Sequence, residues 1–175
     1  MNQPDVAPWE ANRQRRTASG ELVLQVKDLH VTFPSEAGPV RAVRGLSFDL
    51  RAGETMGLVG ESGSGKSVTS LAIMGLLAKG AKVTGSVVLH GDELVGRTDA
   101  EMSKVRGNSL AMIFQDPLSA LTPVYTIGDQ IVEAIQTHYP QVSKDAAMKR
   151  AVELLDLVGI PNPELRVKSF PFEFS

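Results

Sequence analysis

One eight-residue stretch constrains this chain more than any other: Gly60-Glu61-Ser62-Gly63-Ser64-Gly65-Lys66-Ser67. It satisfies G-x-x-x-x-G-K-[ST], the pattern of a loop that cradles phosphate groups. A polyphosphate needs many hydrogen-bond donors close to its oxygens. Glycines at 60, 63 and 65 permit backbone conformations that a Cβ would forbid, so successive N–H groups can turn inward. A helix beginning after Gly65 adds unpaired N–H groups and about half a positive charge at its start. Lys66 supplies a full, movable charge for the β- and γ-phosphates, and the Ser67 hydroxyl suits Mg²⁺. At ordinary residue frequencies, a chance match somewhere in the chain has a probability of about 0.6%. A flexible Gly/Ser loop would leave the lysine unexplained.

Other glycine-rich readings fail. A dinucleotide fingerprint starting at Gly63 would need glycine where Val68 stands. The N-K-x-D element of a GTPase is absent from the sequence, and Asp156-Leu157-Val158-Gly159 reads as a helix stop. The flanks suit a phosphate loop. Thr55–Val59 is a short apolar run without alternation, which predicts a strand buried on both faces, as in a parallel sheet. Val68, Leu71, Ala72, Met74, Gly75 and Leu76 are apolar nearly all round, which predicts a largely buried helix.

The rest of the chain divides by pattern. Leu22, Leu24 and Val26 alternate with polar neighbours, and Leu29, Val31 and Phe33 continue a strand. A loop at 34–39 precedes a second alternation at Leu46, Phe48 and Leu50. Val83–Leu89 predicts another strand, closed by His90-Gly91-Asp92. Thr98 and Glu101 have capping-box spacing for a helix starting near Asp99. Leu110–Phe114 predicts a second short buried strand, ended by Gln115-Asp116-Pro117. Beyond it the period becomes helical: Ile127, Ile131, Val132 and Ile135, then Met148, Ala151, Val152 and Leu155. Ser143 is the expected cap of the later helix, Gly159 its stop, and Pro161 lies just beyond. The expected organisation is a flexible tail over 1–20, a nucleotide-binding core with a β subdomain over 21–115, and a helical segment over 116–175.

Composition removes several classes. With 18 Lys+Arg against 20 Asp+Glu the net charge is −2, so no nucleic-acid footprint is expected. There is no cysteine, and His30, His90 and His138 have no metal-ligand spacing. The most apolar run, Val68 to Ala78, is shorter than the roughly 20 residues a spanning helix needs. The N-terminal segment has no continuous apolar core, so it does not read as a signal peptide. Its Arg13, Arg15 and Arg16 read as part of a solvated tail.

Two further segments choose among phosphate-loop families. Leu110-Ala111-Met112-Ile113-Phe114-Gln115-Asp116-Pro117 resembles the Q-loop of ABC-transporter ATPases. The continuation from Leu118 to Ile131, the upstream Val40–Phe48, and Gly57–Ser67 are similar to the ATP-binding subunits of oligopeptide, dipeptide and nickel importers. The resemblance covers about residues 21 to 175. It implies an α/β fold: an ABC-type P-loop NTPase core with an antiparallel β subdomain and a partial helical subdomain, truncated. It implies ATP and Mg²⁺ as ligands, with Phe33 stacking on adenine. Lys66 and Gln115 would act on the reacting phosphate, and Ser67 and Gln115 would lie at the metal. It further implies a second ATP-binding subunit, transmembrane permease partners touched near Leu121 and Tyr125, and a position on the inner face of the cell membrane.

The family pattern continues past Phe170-Pro171-Phe172-Glu173-Phe174-Ser175 into a signature motif, a Walker B strand and a switch histidine. Phe172 stands where this branch often has histidine. Val87–Glu93 is an apolar run followed by two acids, but His90-Gly91 interrupts it, so it reads as a turn and not as a substitute Walker B strand. The resemblance therefore implies a chain that does not hydrolyse ATP by itself and folds weakly alone. The alternative is a non-enzymatic, truncated protein that binds nucleotide, or occupies the transporter interface, without turnover. A DNA-repair ATPase of the same superfamily would carry a coiled-coil insertion, and no heptads are present.

Overall fold

A computed structural model describes residues 20–116 and 120–174. The expected tail up to residue 19, Pro117, Leu118, Ser119 and Ser175 lie outside the described residues. The chain divides between Leu110 and Ala111 into two compact units.

The first unit is built on an antiparallel sheet of β1 (Leu22–Phe33), β2 (Val40–Arg51), β3 (Lys82–Leu89) and β4 (Asp92–Glu93), in the order β2-β1-β3-β4. The apolar residues of β1 change parity along the strand. Leu24 and Val26 are buried at even positions, Leu29 and Val31 at odd ones. A strand has period two, so the change requires one extra residue. The register contains it: Val26 pairs with Phe48 and Leu29 with Leu46, while on the other side Lys27 pairs with Ser86 and His30 with Thr84. The bulge centres on Asp28, which has φ 47°. Gly85 makes room for it, because a Cβ there would lie 2.3 Å from the Asp28 carbonyl oxygen. The Asp28 N–H donates to Ser47 Oγ, and its carboxylate meets His30 Nε2 at 2.9 Å.

The sheet buries Leu24, Val26, Leu29, Val87 and Leu89 together with Leu94, Ile73 and Met102. At about 1.5–3 kcal/mol for each fully buried Val or Leu, this cluster is the main stabilising term of the unit. Ile73 belongs to α1 (Lys66–Ile73) and Met102 to α2 (Asp99–Val105). The α2 cap is the expected box: the Glu101 N–H donates to the Thr98 side chain, and the Glu101 carboxylate accepts from the Thr98 N–H. His90 and Gly91 both have positive φ, as a two-residue type I′ hairpin requires. Glu93 then locks the hairpin. Its carboxylate accepts from Ser86 Oγ and from the N–H groups of Val87, Leu94 and Val95. Val87–Glu93 is therefore a turn with a structural carboxylate.

The two segments read as strands buried in a parallel sheet are not strands here. Thr55–Val59 carries no ladder, Leu110–Phe114 has just an isolated bridge from Leu110 to Arg106, and Val59 and Ile113 are 91% and 95% exposed. A parallel strand needs hydrogen-bonded neighbours on its edges and helices over its faces. Among the described residues neither segment has them. The helix after the phosphate loop is also shorter and less buried than its apolar pattern predicts. Thr69 and Ile73 are its buried residues, and Leu76 is exposed. Gly75 stops it at φ 64°: the Leu76 N–H reaches the Leu71 carbonyl and the Gly75 N–H reaches Ala72, a Schellman closure.

The second unit packs α3 (Ile127–His138) on α4 (Lys144–Leu157), followed by α5 (Pro163–Arg166) and a 3₁₀ turn at Pro171–Glu173. Ile127, Ala151, Leu155 and Val167 form its core, with Leu121 packed against them. Thr126 and Ser143 cap the two long helices through their hydroxyls. Gly159, at φ 80°, ends α4 in the same way that Gly75 ends α1. Among the described residues no helix is long and apolar enough to cross a membrane.

Two outcomes follow. Gly85→Ala should lower stability by more than about 2 kcal/mol in a denaturant melt, because the methyl meets backbone at a positive φ. Gly38→Ala, also at positive φ but with open space around it, should cost about 1 kcal/mol. The Glu93 carboxyl gives the second. Burial works to raise its pKa, but hydrogen bonds from Ser86, Val87, Val95 and Leu94 outweigh this and hold it below the ordinary range. A lowered folded-state value stabilises at neutral pH, and that stability is lost as pH falls through about 4 and below. Glu93→Gln should therefore be less stable at pH 7, by about 1 kcal/mol given its exposure, and should lose less on acidification.

Candidate functional site

The phosphate-loop sequence forms an open turn between residue 59 and α1. Gly65 is the N-cap residue of α1, with φ 95°. A Cβ on Gly65 would lie 2.5 Å from the Ala42 carbonyl oxygen, so glycine lets the loop press against β2. A Cβ on Gly60 would meet Ser64 Oγ at 2.6 Å. Gly63 needs only its positive φ, since nothing lies within 4 Å of a Cβ there. Each of the three glycines thus has its own physical requirement.

Lys66 is half-buried and folds back over the loop. Its Nζ donates to the Gly60 carbonyl at 2.8 Å, the Glu61 carbonyl at 2.6 Å and Ser64 Oγ at 3.4 Å. The ammonium is thus already placed at the mouth of the cradle. The start of α1 is left uncompensated: no side chain caps it, and its first turn contains no acid. Partial positive charge at that end therefore remains available to an anion. The Thr69 N–H and hydroxyl both close on the Gly65 carbonyl, which anchors the first turn.

A cavity of about 770 Å³ opens against this loop. Gly60, Gly63, Ser64, Gly65, Lys66 and Thr69 line one side of it, and Val40–Leu46 of β2 the other. Among the described residues that line it, none is acidic, and three are cationic: Arg41, Arg44 and Lys66. The donor set suits a polyphosphate, and the volume suits a nucleotide. Among the described residues no cluster of three His, Asp or Glu could hold a metal ion by itself. A Mg²⁺ held mainly by phosphates and water, with one hydroxyl ligand such as that of Ser67, fits this donor set.

The expected site residues are not all brought together. Gly60, Gly63, Ser64, Gly65 and Lys66 line the cavity. Glu61 joins through its carbonyl, while Ser62 and Ser67 are exposed beside it. Phe33 is half-buried at the end of β1 and outside the lining, but its cross-strand partner Val40 lines the cavity. Gln115 is exposed and belongs to the second unit. Leu121 packs into the helical core, whereas Tyr125 is 58% exposed. Sequence reasoning missed the wall made by β2. The signal was present in Arg41 and Arg44, two cations within Val40–Phe48, a stretch that sequence reasoning uses for its family resemblance and not for its charge.

Comparison with known proteins gives a consistent result. Residues 43–175 match a family model described as ABC transporter. The oligopeptide transport ATP-binding protein OppD of Mycobacterium tuberculosis is 56% identical over 153 residues, covering 87% of this chain and 25% of that protein. OppD of Bacillus subtilis is 52% identical over 155 residues, covering 87% and 43%. The dipeptide transport ATP-binding protein DppD of Bacillus subtilis is 52% identical over 157 residues, covering 89% and 47%. The chain thus spans between a quarter and half of these relatives' lengths. Among solved structures, a dimeric bacterial ABC transporter cassette superposes with a TM-score of 0.74 at 23% identity, covering 87% of this chain and 63% of that one. A post-hydrolysis cassette bound to ADP and Pi gives 0.72. The fold is therefore that of an ABC ATPase cassette.

The lysine contacts predict a measurable effect before any ligand is added. Lys66→Ala removes three hydrogen bonds that tie the loop together, so amide hydrogen exchange over 60–66 should accelerate by about fivefold or more while the sheet amides of β1 and β3 stay unchanged.

Proposed function

Because this chain belongs to the ABC transporter family, we propose that it is the ATP-binding, energy-coupling subunit of an importer for peptides or a related small solute. The observation that carries the reading is the cationic cavity beside Gly60–Ser67, with Lys66 held over the loop and an uncapped helix start behind it. The names of the relatives support peptides as the solute class.

In this reading the backbone N–H groups of 60–66 bind the phosphates. Lys66 exchanges its loop carbonyls for β- and γ-phosphate oxygens, and Ser67 donates its hydroxyl oxygen to Mg²⁺. The metal neutralises charge on the phosphates when bound. Phe33, the cross-strand partner of Val40, stacks on the base. Gln115 contributes at the metal and the attacking water. A second ATP-binding subunit and membrane permeases complete the assembly, at the cytoplasmic face of the membrane. The exposed Tyr125 is a contact toward the permease. With Lys66, Ser67 and Gln115 as its own reacting-site groups and no second subunit to complete the charge stabilisation, the chain alone binds ATP without appreciable turnover.

Calorimetry on the chain with Mg-ATP should detect one site per chain. Lys66→Ala should weaken binding at least about tenfold, since it removes a charge-assisted contact to the phosphates. A phosphate-release assay should show no turnover above a Lys66→Ala control. Absence of binding by the wild-type chain would contradict the reading.

A further inference from the structure

We infer that Arg41 and Arg44 of β2 form a second phosphate-binding wall, facing the same cavity as Lys66, which makes the site favour the more highly charged nucleotide. The inference rests on the reading of this cavity as a nucleotide site and deepens it.

Three observations carry it. Both arginines line the cavity together with Lys66, and no acidic residue among the described lining balances them. Their position is at the phosphate end. Gly65 abuts the Ala42 carbonyl, Arg41 is the residue before Ala42, and Arg44 lies two residues after it. Neither guanidinium is committed to a carboxylate. Among the described residues Arg41 has no side-chain hydrogen bond or ion pair, and Arg44 makes one bond, from Nε to the Arg41 carbonyl. Asp28 on the neighbouring strand is taken by His30.

Two neighbouring cations on an exposed edge strand repel each other, and the one bond they gain from the fold, Arg44 Nε to the Arg41 carbonyl, does not neutralise either charge. A guanidinium presents a planar fork of donors that matches phosphate oxygens in pairs. The partner that fits here is a polyanion seated in the cradle. Attraction grows with the number of phosphates, so these residues separate ATP from ADP and AMP by charge, whereas Phe33 acts on the base and treats all three alike. Both side chains are exposed on β2, so replacing them leaves the buried core of the sheet intact.

The test is nucleotide binding by calorimetry with ATP, ADP and AMP at constant excess Mg²⁺, at about 0.05 M and about 1 M salt. In low salt, Arg41→Gln with Arg44→Gln should weaken ATP by about tenfold, ADP by less and AMP least. The gap should nearly close at high salt, where the screening length is a few ångström. The paired Lys variants, Arg41→Lys with Arg44→Lys, should recover most of the loss. The inference is overturned if the Gln pair binds ATP within about twofold of wild type, or if ATP and AMP weaken by the same factor. In both of those outcomes the wild type still binds, so the nucleotide reading survives. A wild type that binds none of the three nucleotides takes down both.

Discussion

The contact between Gly65 and the Ala42 carbonyl is the constraint on which the rest of the site depends. At 2.5 Å from a would-be Cβ, no other residue type fits without moving the loop or the strand. This approach fixes where α1 begins, and with it the direction in which its free N–H groups point. It also sets β2 as the facing wall of the cavity. Sheet, loop and helix are thus joined at one point, and the proposed phosphate site is built on that joint.

Several parts of this arrangement were legible from residues alone. Gly60–Ser67 announced the helix that follows it. The Thr98–Glu101 box, the Ser143 cap and the Gly159 stop are local signals with local causes, and each appears as expected. The shift of apolar residues from Leu24 and Val26 to Leu29 and Val31 carries the bulge at Asp28, although the pattern by itself reads as simple continuation. Gly75 looks in sequence like one more small apolar position, but its role is to stop the helix in the left-handed region.

What the residues could not show is of a different kind. Thr55–Val59 and Leu110–Phe114 have the composition of buried parallel strands, but burial is a property of neighbours. Among the described residues no strand pairs with them, and Val59, Ile113 and Phe114 face solvent. The cationic wall was hidden for a similar reason. Arg41 and Arg44 look like ordinary surface charge in sequence, and only the packing of β2 against the loop places them beside Lys66. Family membership, by contrast, was legible because the motif residues are themselves the chemistry.

The central claim is that the joint between Gly65 and β2 builds one nucleotide cradle with two walls. Backbone amide resonances read this directly. Titration of the isotopically labelled chain with Mg-ATP should move amides of 60–67 and of 40–46 together, with one shared dissociation constant. Shifts confined to the loop would remove β2 from the site. No shifts in either segment, or shifts centred on the separate cavity near Ile73, Leu94 and Met102, would contradict the account.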